Sequence, residues 1–299
     1  MKKYIVTIIV GVFMLGCLAH AEEVSLSYKQ LTMNANLILA ADKHLADGVI
    51  LITHGGLAHY ASDTIAYLQQ LFKARGYNTL AINLSLGLDN RHGMYDCKTT
   101  HRHLNADSAD EIGAWLDWLH KQGVKSVTLL GHSRGGAQTA LFAAERDNTL
   151  VKAVVLMAPA TSENNDALEY QKRFHMALLP MLETAQKLAR EGRGSTVIDS
   201  VGLLSCANTT ATAASFVSYY KPSISLDTPQ LIPKFTKPSL IIVAGSDEVV
   251  VGLGKKVTPL VDGVRVQMKV IEGAGHYFQD IYSDDAVDAI DAYLKRIGN

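Results

Sequence analysis

The chain has 299 residues, 48% of them hydrophobic and 19% charged, with a formal net charge of -1. That is ordinary globular composition with no low-complexity tract or fixed-period repeat, and the length fits one large α/β domain or two smaller ones. The near-neutral charge gives no electrostatic reason to expect nucleic acid as a partner.

The N-terminus differs from the rest. Lys2 and Lys3 precede an uncharged, largely apolar run over residues 4–18, and Ala19-His20-Ala21 follows. A basic start, a short apolar stretch and an Ala-x-Ala site are the parts of a secretory signal peptide, expected here over residues 1–21. A spanning helix needs about 20 apolar residues, more than this run supplies. The mature protein is therefore expected in the periplasm or secreted. The alternative is lipid anchoring at Cys17, because Leu15-Gly16-Cys17 partly matches a lipobox. No later apolar run is long enough to predict stable membrane insertion after cleavage.

Residues 24–39 pattern as two short strands with Asn34 and Asn36 near the turn. Residues 48–53 form a compact apolar run ending in His54-Gly55-Gly56, which predicts a buried strand entering a glycine-rich loop. Residues 62–75 carry apolar side chains at helical spacing and stop at Gly76. A strand over 77–84, a helix over 105–122, a strand over 124–130, a helix over 134–146 and a strand over 151–158 follow. Alternating helices and nearly continuously apolar strands predict a mostly parallel sheet covered on both faces. The rhythm breaks after residue 158. One amphipathic helix is expected over 166–190, followed by a Ser/Thr/Ala-rich stretch with little periodicity. Residues 160–235 are too short and irregular for a core of their own, which predicts an inserted lid. Its apolar positions Leu168, Phe174, Leu178, Leu179 and Leu182 suit either an acyl pocket or packing on the core. Alternation resumes with a strand at 239–244, a helical segment near 249–260, a strand at 265–271 and a helix at 284–297.

Gly131-His132-Ser133-Arg134-Gly135 matches Gly-x-Ser-x-Gly. The pattern alone is weak, but here it joins an apolar strand directly to a helix of small residues, the setting in which such a turn exposes a serine. Ser133 is the candidate nucleophile. A serine hydroxyl needs a base, and His276 in Gly273-Ala274-Gly275-His276 lies just past the last predicted strand. The base in turn needs a carboxylate to hold its tautomer. Asp247 follows the preceding strand and is preferred to its neighbour Glu248, which is expected to open the next helix.

The elbow, the strand-end acid and the Gly-x-Gly-His loop occur in the order Ser, Asp, His, and His54-Gly55-Gly56-Leu57 is similar to an oxyanion loop. Together they resemble the α/β-hydrolase superfamily over nearly all of the mature chain except the lid. The resemblance implies an α/β-hydrolase fold and an oxyanion hole made by the N–H groups of Arg134 and of Gly56 or Leu57. His54 is expected to shape that loop rather than move protons. The implied function is an exported serine hydrolase, a carboxylic ester hydrolase acting through an acyl-enzyme on a small-molecule ester or acyl substrate, with no cofactor. A serine peptidase or amidase is the alternative, and a non-catalytic binding protein on the same fold the other-class reading.

The segment holding His92, Asp96, Cys97, His101 and His103 carries possible metal ligands, but its spacing fits no standard zinc pattern. A polar loop near the pocket rim is the preferred reading. After cleavage only Cys97 and Cys206 remain, in a compartment that permits disulfides, and a bridge between lid and loop is expected.

Overall fold

The computed structural model describes residues 21–298. The expected cleavage site, the Cys17 alternative and the apolar leader lie outside the described residues, apart from Ala21. Ten strands are present among them: β1 (Ala21–Tyr28), β2 (Leu31–Ile38), β3 (Val49–Thr53), β4 (Thr79–Ile82), β5 (Val127–His132), β6 (Val151–Met157), β7 (Val197–Leu203), β8 (Cys206–Thr212), β9 (Ser239–Ala244) and β10 (Val266–Ile271). The helices are α1 (Asp63–Ala74), α2 (Asp107–Lys121), α3 (Arg134–Glu145), α4 (Ala167–Phe174), α5 (Leu178–Arg190), α6 (Ala213–Tyr220), α7 (Thr228–Leu231), α8 (Leu253–Val257) and α9 (Ile281–Ile297).

Eight strands form one sheet in the order β1-β2-β4-β3-β5-β6-β9-β10. The β1–β2 and β2–β4 pairings are antiparallel, and the others are parallel. The apolar runs divide by parity, broken only at the start of β6, where Val151 and Ala153 face opposite layers across a register shift against β5. In β3, Val49 and Leu51 enter one core layer while Ile50 and Ile52 enter the other. In β9, Ile241 and Val243 alternate with Leu240 and Ile242 in the same way. A side-chain period of two thus lets one unbroken hydrophobic run serve both faces. α2 and α3 cover the first layer through Ile112, Trp115, Leu116, Leu141 and Phe142. α1 and α9 cover the second through Ile65, Leu68, Phe72, Val287 and Ile290.

Residues 158–238 leave the sheet after β6 and return in β9, its hydrogen-bonded neighbour. They form a two-stranded antiparallel hairpin, β7–β8, with α4 and α5 before it and α6 and α7 after it. None of the helices among the described residues is long and apolar enough to cross a membrane.

Three local expectations are corrected. The first hairpin turns at Lys29 and Gln30, both at positive φ, and Asn34 and Asn36 sit inside β2. Their amides instead reach Asn90 at 2.8 Å and Gln69 at 2.9 Å. The single helix expected over 166–190 is two helices: His175 ends α4 in the left-handed region. Pro180, in the first turn of α5, explains the break, since a proline has no N–H and its ring would clash with a carbonyl one turn earlier in a continuous helix. The supposedly aperiodic stretch contains β7 and β8, whose irregular register hides the alternation.

Candidate active site

Parallel strands end on the same edge of a sheet, and loops there are placed to meet a ligand. The carboxyl ends of β3, β5, β9 and β10 carry, in turn, the His54–Leu57 loop, Ser133, Asp247 and His276. The turn from β5 to α3 is extremely tight. Ser133 has φ 57 and ψ -125, a conformation a non-glycine residue rarely adopts. Its glycines make that geometry possible. A Cβ on Gly131 would meet Gly135 O at 2.4 Å, and one on Gly135 would meet His54 O at 2.2 Å.

Ser133, His276 and Asp247 form one hydrogen-bonded chain. The Asp247 carboxylate faces His276 Nδ1 with its two oxygens at 3.1 and 3.0 Å. A carboxylate only accepts, so Nδ1 carries the proton and Nε2 is free to accept. Ser133 Oγ lies 2.8 Å from that Nε2 and donates to it. Burial works against ionising Asp247. The His276 Nδ1–H and the N–H groups of Val250 and Val249, at 2.7 and 2.8 Å, outweigh it and hold the carboxyl below the usual range.

Glu248 does not begin a helix, because α8 starts only at Leu253. Its carboxylate accepts the His276 N–H at 3.3 Å, so it supports the backbone of the histidine loop while Asp247 holds the ring. His132, unnoticed in the sequence apart from its place in the elbow, donates Nε2–H to the His276 carbonyl at 2.9 Å. Burial, with His276 alongside, pushes its pKa down to about 4, so the ring is a neutral strut.

Arg134 is the first residue of α3, where first-turn N–H groups have no partner within the helix. Gly56, at φ +47, borders the same cleft. Leu57 is buried, and its carbonyl accepts from Tyr95 N at 3.1 Å. His54 is wholly enclosed. Its Nε2 accepts from Arg91 at 3.0 Å and from Leu84 N at 3.2 Å, and its Nδ1 reaches Gly55 O at 3.2 Å. Burial and then Arg91 lower its pKa to about 3, which leaves it neutral and committed to the loop.

The cleft at Ser133 has a volume of about 360 Å³. Glu169, Arg173, Leu204 and Ser205 of the insertion form one wall, and Glu248, Val249, Val250 and Tyr277 another. The helix stripe of the insertion contributes elsewhere: Leu178 and Leu182 are buried, and Leu168 and Leu179 are exposed.

The polar segment around residues 92–103 does not border this cleft. Cys97 is disulfide-bonded to Cys206, with Cα atoms 5.3 Å apart. Thr209 Oγ1 donates to Cys97 O at 2.6 Å, and His101 forms a backbone bridge with Ala211. His101 Nδ1 lies 3.1 Å from His103 Nε2, and His103 Nδ1 lies 2.8 Å from Tyr219 OH. His92 pairs with Glu23 instead. No group of three or more His, Cys, Asp or Glu residues suited to a metal occurs among the described residues. The segment is a seam between the sheet domain and the insertion.

The fold is shared with solved esterases. Est1E from Butyrivibrio proteoclasticus superposes with a TM-score of 0.62 at 18% identity, over 92% of this chain and 98% of its own. A dienelactone hydrolase from Anabaena variabilis gives 0.56 at 19% identity, covering 93% and 98%. The Pyrococcus furiosus esterase PF2001 gives 0.60 at 14% identity, covering 93% and 91%. No curated protein matches the chain in sequence. The model of the alpha/beta hydrolase family matches residues 49–292, which span the elbow and both remaining members of the hydrogen-bonded chain. With its sheet order, its Ser–Asp–His succession and that match, the chain belongs to the alpha/beta hydrolase family.

Proposed function

We propose that the protein is an exported serine hydrolase that cleaves carboxylic esters through an acyl-enzyme. Ser133 Oγ attacks the ester carbonyl carbon as its proton passes to His276 Nε2, and Asp247 stabilises the resulting imidazolium. The negative charge developing on the carbonyl oxygen is met by the N–H of Arg134 and that of Gly56 or Leu57, donors worth about 3–4 kcal/mol each in such sites. His276 then protonates the departing alkoxide. Water repeats the sequence on the acyl-enzyme, giving up its proton to His276 and releasing the acid.

The observation that carries this reading is the unbroken chain Ser133 Oγ–His276 Nε2/Nδ1–Asp247 at 2.8 and 3.0 Å, opening onto a cleft. The esterases among the similar folds agree with it. A Cys97–Cys206 bridge favours an oxidising compartment and so supports export and removal of residues 1–21. The insertion that walls the cleft is the candidate lid. The test is labelling with a fluorophosphonate, followed by mapping of the adduct. Modification at Ser133, lost in Ser133→Ala together with ester hydrolysis, is the expected result. An unlabelled wild-type protein, or a Ser133→Ala variant with more than a few per cent of the wild-type kcat, defeats the proposal.

A further inference from the structure

Arg134 has a backbone role in the proposed oxyanion hole, and its side chain poses a separate question. The residue is 8% exposed, yet its guanidinium has no carboxylate within ion-pair distance among the described residues. Its one hydrogen bond there goes to a neutral acceptor, Asn165 Oδ1, at 2.6 Å. The Tyr219 ring lies beneath it, with 5.7 Å from Cζ to the centroid. Burying a charge without an opposite one is costly, and buried guanidinium groups are ordinarily paired.

The carboxylates nearby are otherwise engaged. Glu169 is held by Arg173 at 3.0 Å and lies 3.6 Å from Lys172. Glu248 accepts the His276 N–H. Burial lowers the Arg134 pKa; Tyr219 and Tyr220 oppose that shift in part, and the next cation, Arg173, adds to it. Arg134 nevertheless borders the same cleft as Ser133, the residue before it. The helix turn therefore sets an uncompensated, five-donor cation beside the candidate nucleophile.

We infer that Arg134 is a specificity-determining residue whose missing counter-ion is a carboxylate carried by the substrate. The substrate class is thus an ester of a short dicarboxylic acid, or another small ester bearing a free carboxylate. The guanidinium fork accepts a carboxylate in two parallel hydrogen bonds, and the neutral Asn165 leaves its charge unspent. This inference rests on the serine-hydrolase reading for its catalytic half and on the buried cation for its binding half.

Two measurements separate these halves. The first compares kcat/KM for monoethyl glutarate with that for ethyl valerate, which has the same acyl length and no charge. Wild type should prefer the charged ester by roughly 10- to 100-fold, the range of a hydrogen-bonded charge pair. Arg134→Met should bring the ratio to unity or below, and Arg134→Lys should keep part of it. The ratio is the readout because Arg134→Met retains the backbone N–H but alters a binding residue. A wild-type preference for the neutral ester, or an unchanged ratio in Arg134→Met, overturns the inference.

The second measures the melting temperature with added glutarate, without turnover. Glutarate should raise it for wild type and fail to do so for Arg134→Met, and the neutral glutaramide should have no effect. If neither ester is hydrolysed and Ser133 stays unlabelled, the functional reading fails, and the glutarate shift still decides the anion site. Should Arg134→Met not fold, Arg134→Lys decides both measurements: an undiminished ester ratio and glutarate shift refute the inference.

Discussion

A methyl group at residue 135 should damage catalysis from the far side of the elbow. The ideal Cβ of Gly135→Ala would sit 2.2 Å from His54 O and 2.5 Å from Thr53 O, both backbone atoms at the end of β3. Ordinary contact begins at 3.4 Å, so β3 and α3 must separate by about 1 Å at this point. That separation draws the His54–Leu57 loop away from Ser133 and opens the proposed oxyanion hole. Misplacement of about 1 Å costs on the order of 100-fold in rate, and overpacking costs about 1–3 kcal/mol of stability. The assay is the rate of fluorophosphonate labelling at saturating reagent, read beside the melting temperature. Gly113→Ala in α2 is the control, because its Cβ would meet only Phe142 Cε2 at 3.7 Å. It should gain about 0.5–1 kcal/mol from helix propensity and keep full reactivity. If Gly135→Ala labels at the wild-type rate and melts where wild type does, the close approach does not set the site.

Asp247→Asn should lower kcat by about 10⁴, and Glu248→Gln, which retains an acceptor for the His276 N–H, should cost far less. The reverse order in steady-state kinetics would show that Glu248 is the orienting acid. Replacing Cys97 and Cys206 by serine should destabilise the protein by up to about 5 kcal/mol, given a bridge closing 109 residues. Two free thiols in the unreduced mature protein by mass spectrometry would remove the premise. His54, His103, His101 and His132 are held neutral by burial, with pKa values lowered to about 3, 3, 4 and 4. Unfolded histidines titrate near ~6.5, so the unfolded chain binds more protons between about pH 6.5 and pH 4, and stability is lost as pH falls through that window. Denaturant titrations from pH 7.5 to 4.5 should show the loss, and a flat dependence would contradict the assignment.

The candidate site was more legible in the sequence than the insertion. Ser133, Asp247 and His276 each sit at a boundary between an apolar strand and a glycine-rich turn, and such boundaries survive projection onto one dimension. The Lys29-Gln30 turn was hidden because neither residue is the glycine or asparagine such a turn favours. β7 and β8 were hidden by register shifts and by positive-φ residues at Ser200, Leu204 and Asn208. Pro180 did mark the α4–α5 break, but the stripe on either side masked it. Nothing in the letters shows that Arg134 lacks a counter-charge among the described residues, since an ion pair's absence depends on every chain segment that folds near it.

The seam between residues 97–105 and the insertion bears on how such a protein could be re-engineered. Residues 158–238 enter and leave at adjacent strands, so they look exchangeable for another family member's segment as a cassette. The cassette is not self-contained. Cys97, Thr100, His101, His103 and Asn105 reach it from outside, through Cys206, Thr210, Ala211, Tyr219 and Ser218. A chimera that transplants the insertion alone would leave a lone thiol and two enclosed imidazoles facing strangers. One that carries residues 95–105 along with it moves both halves of the joint, and only then does the graft arrive with its own foundations.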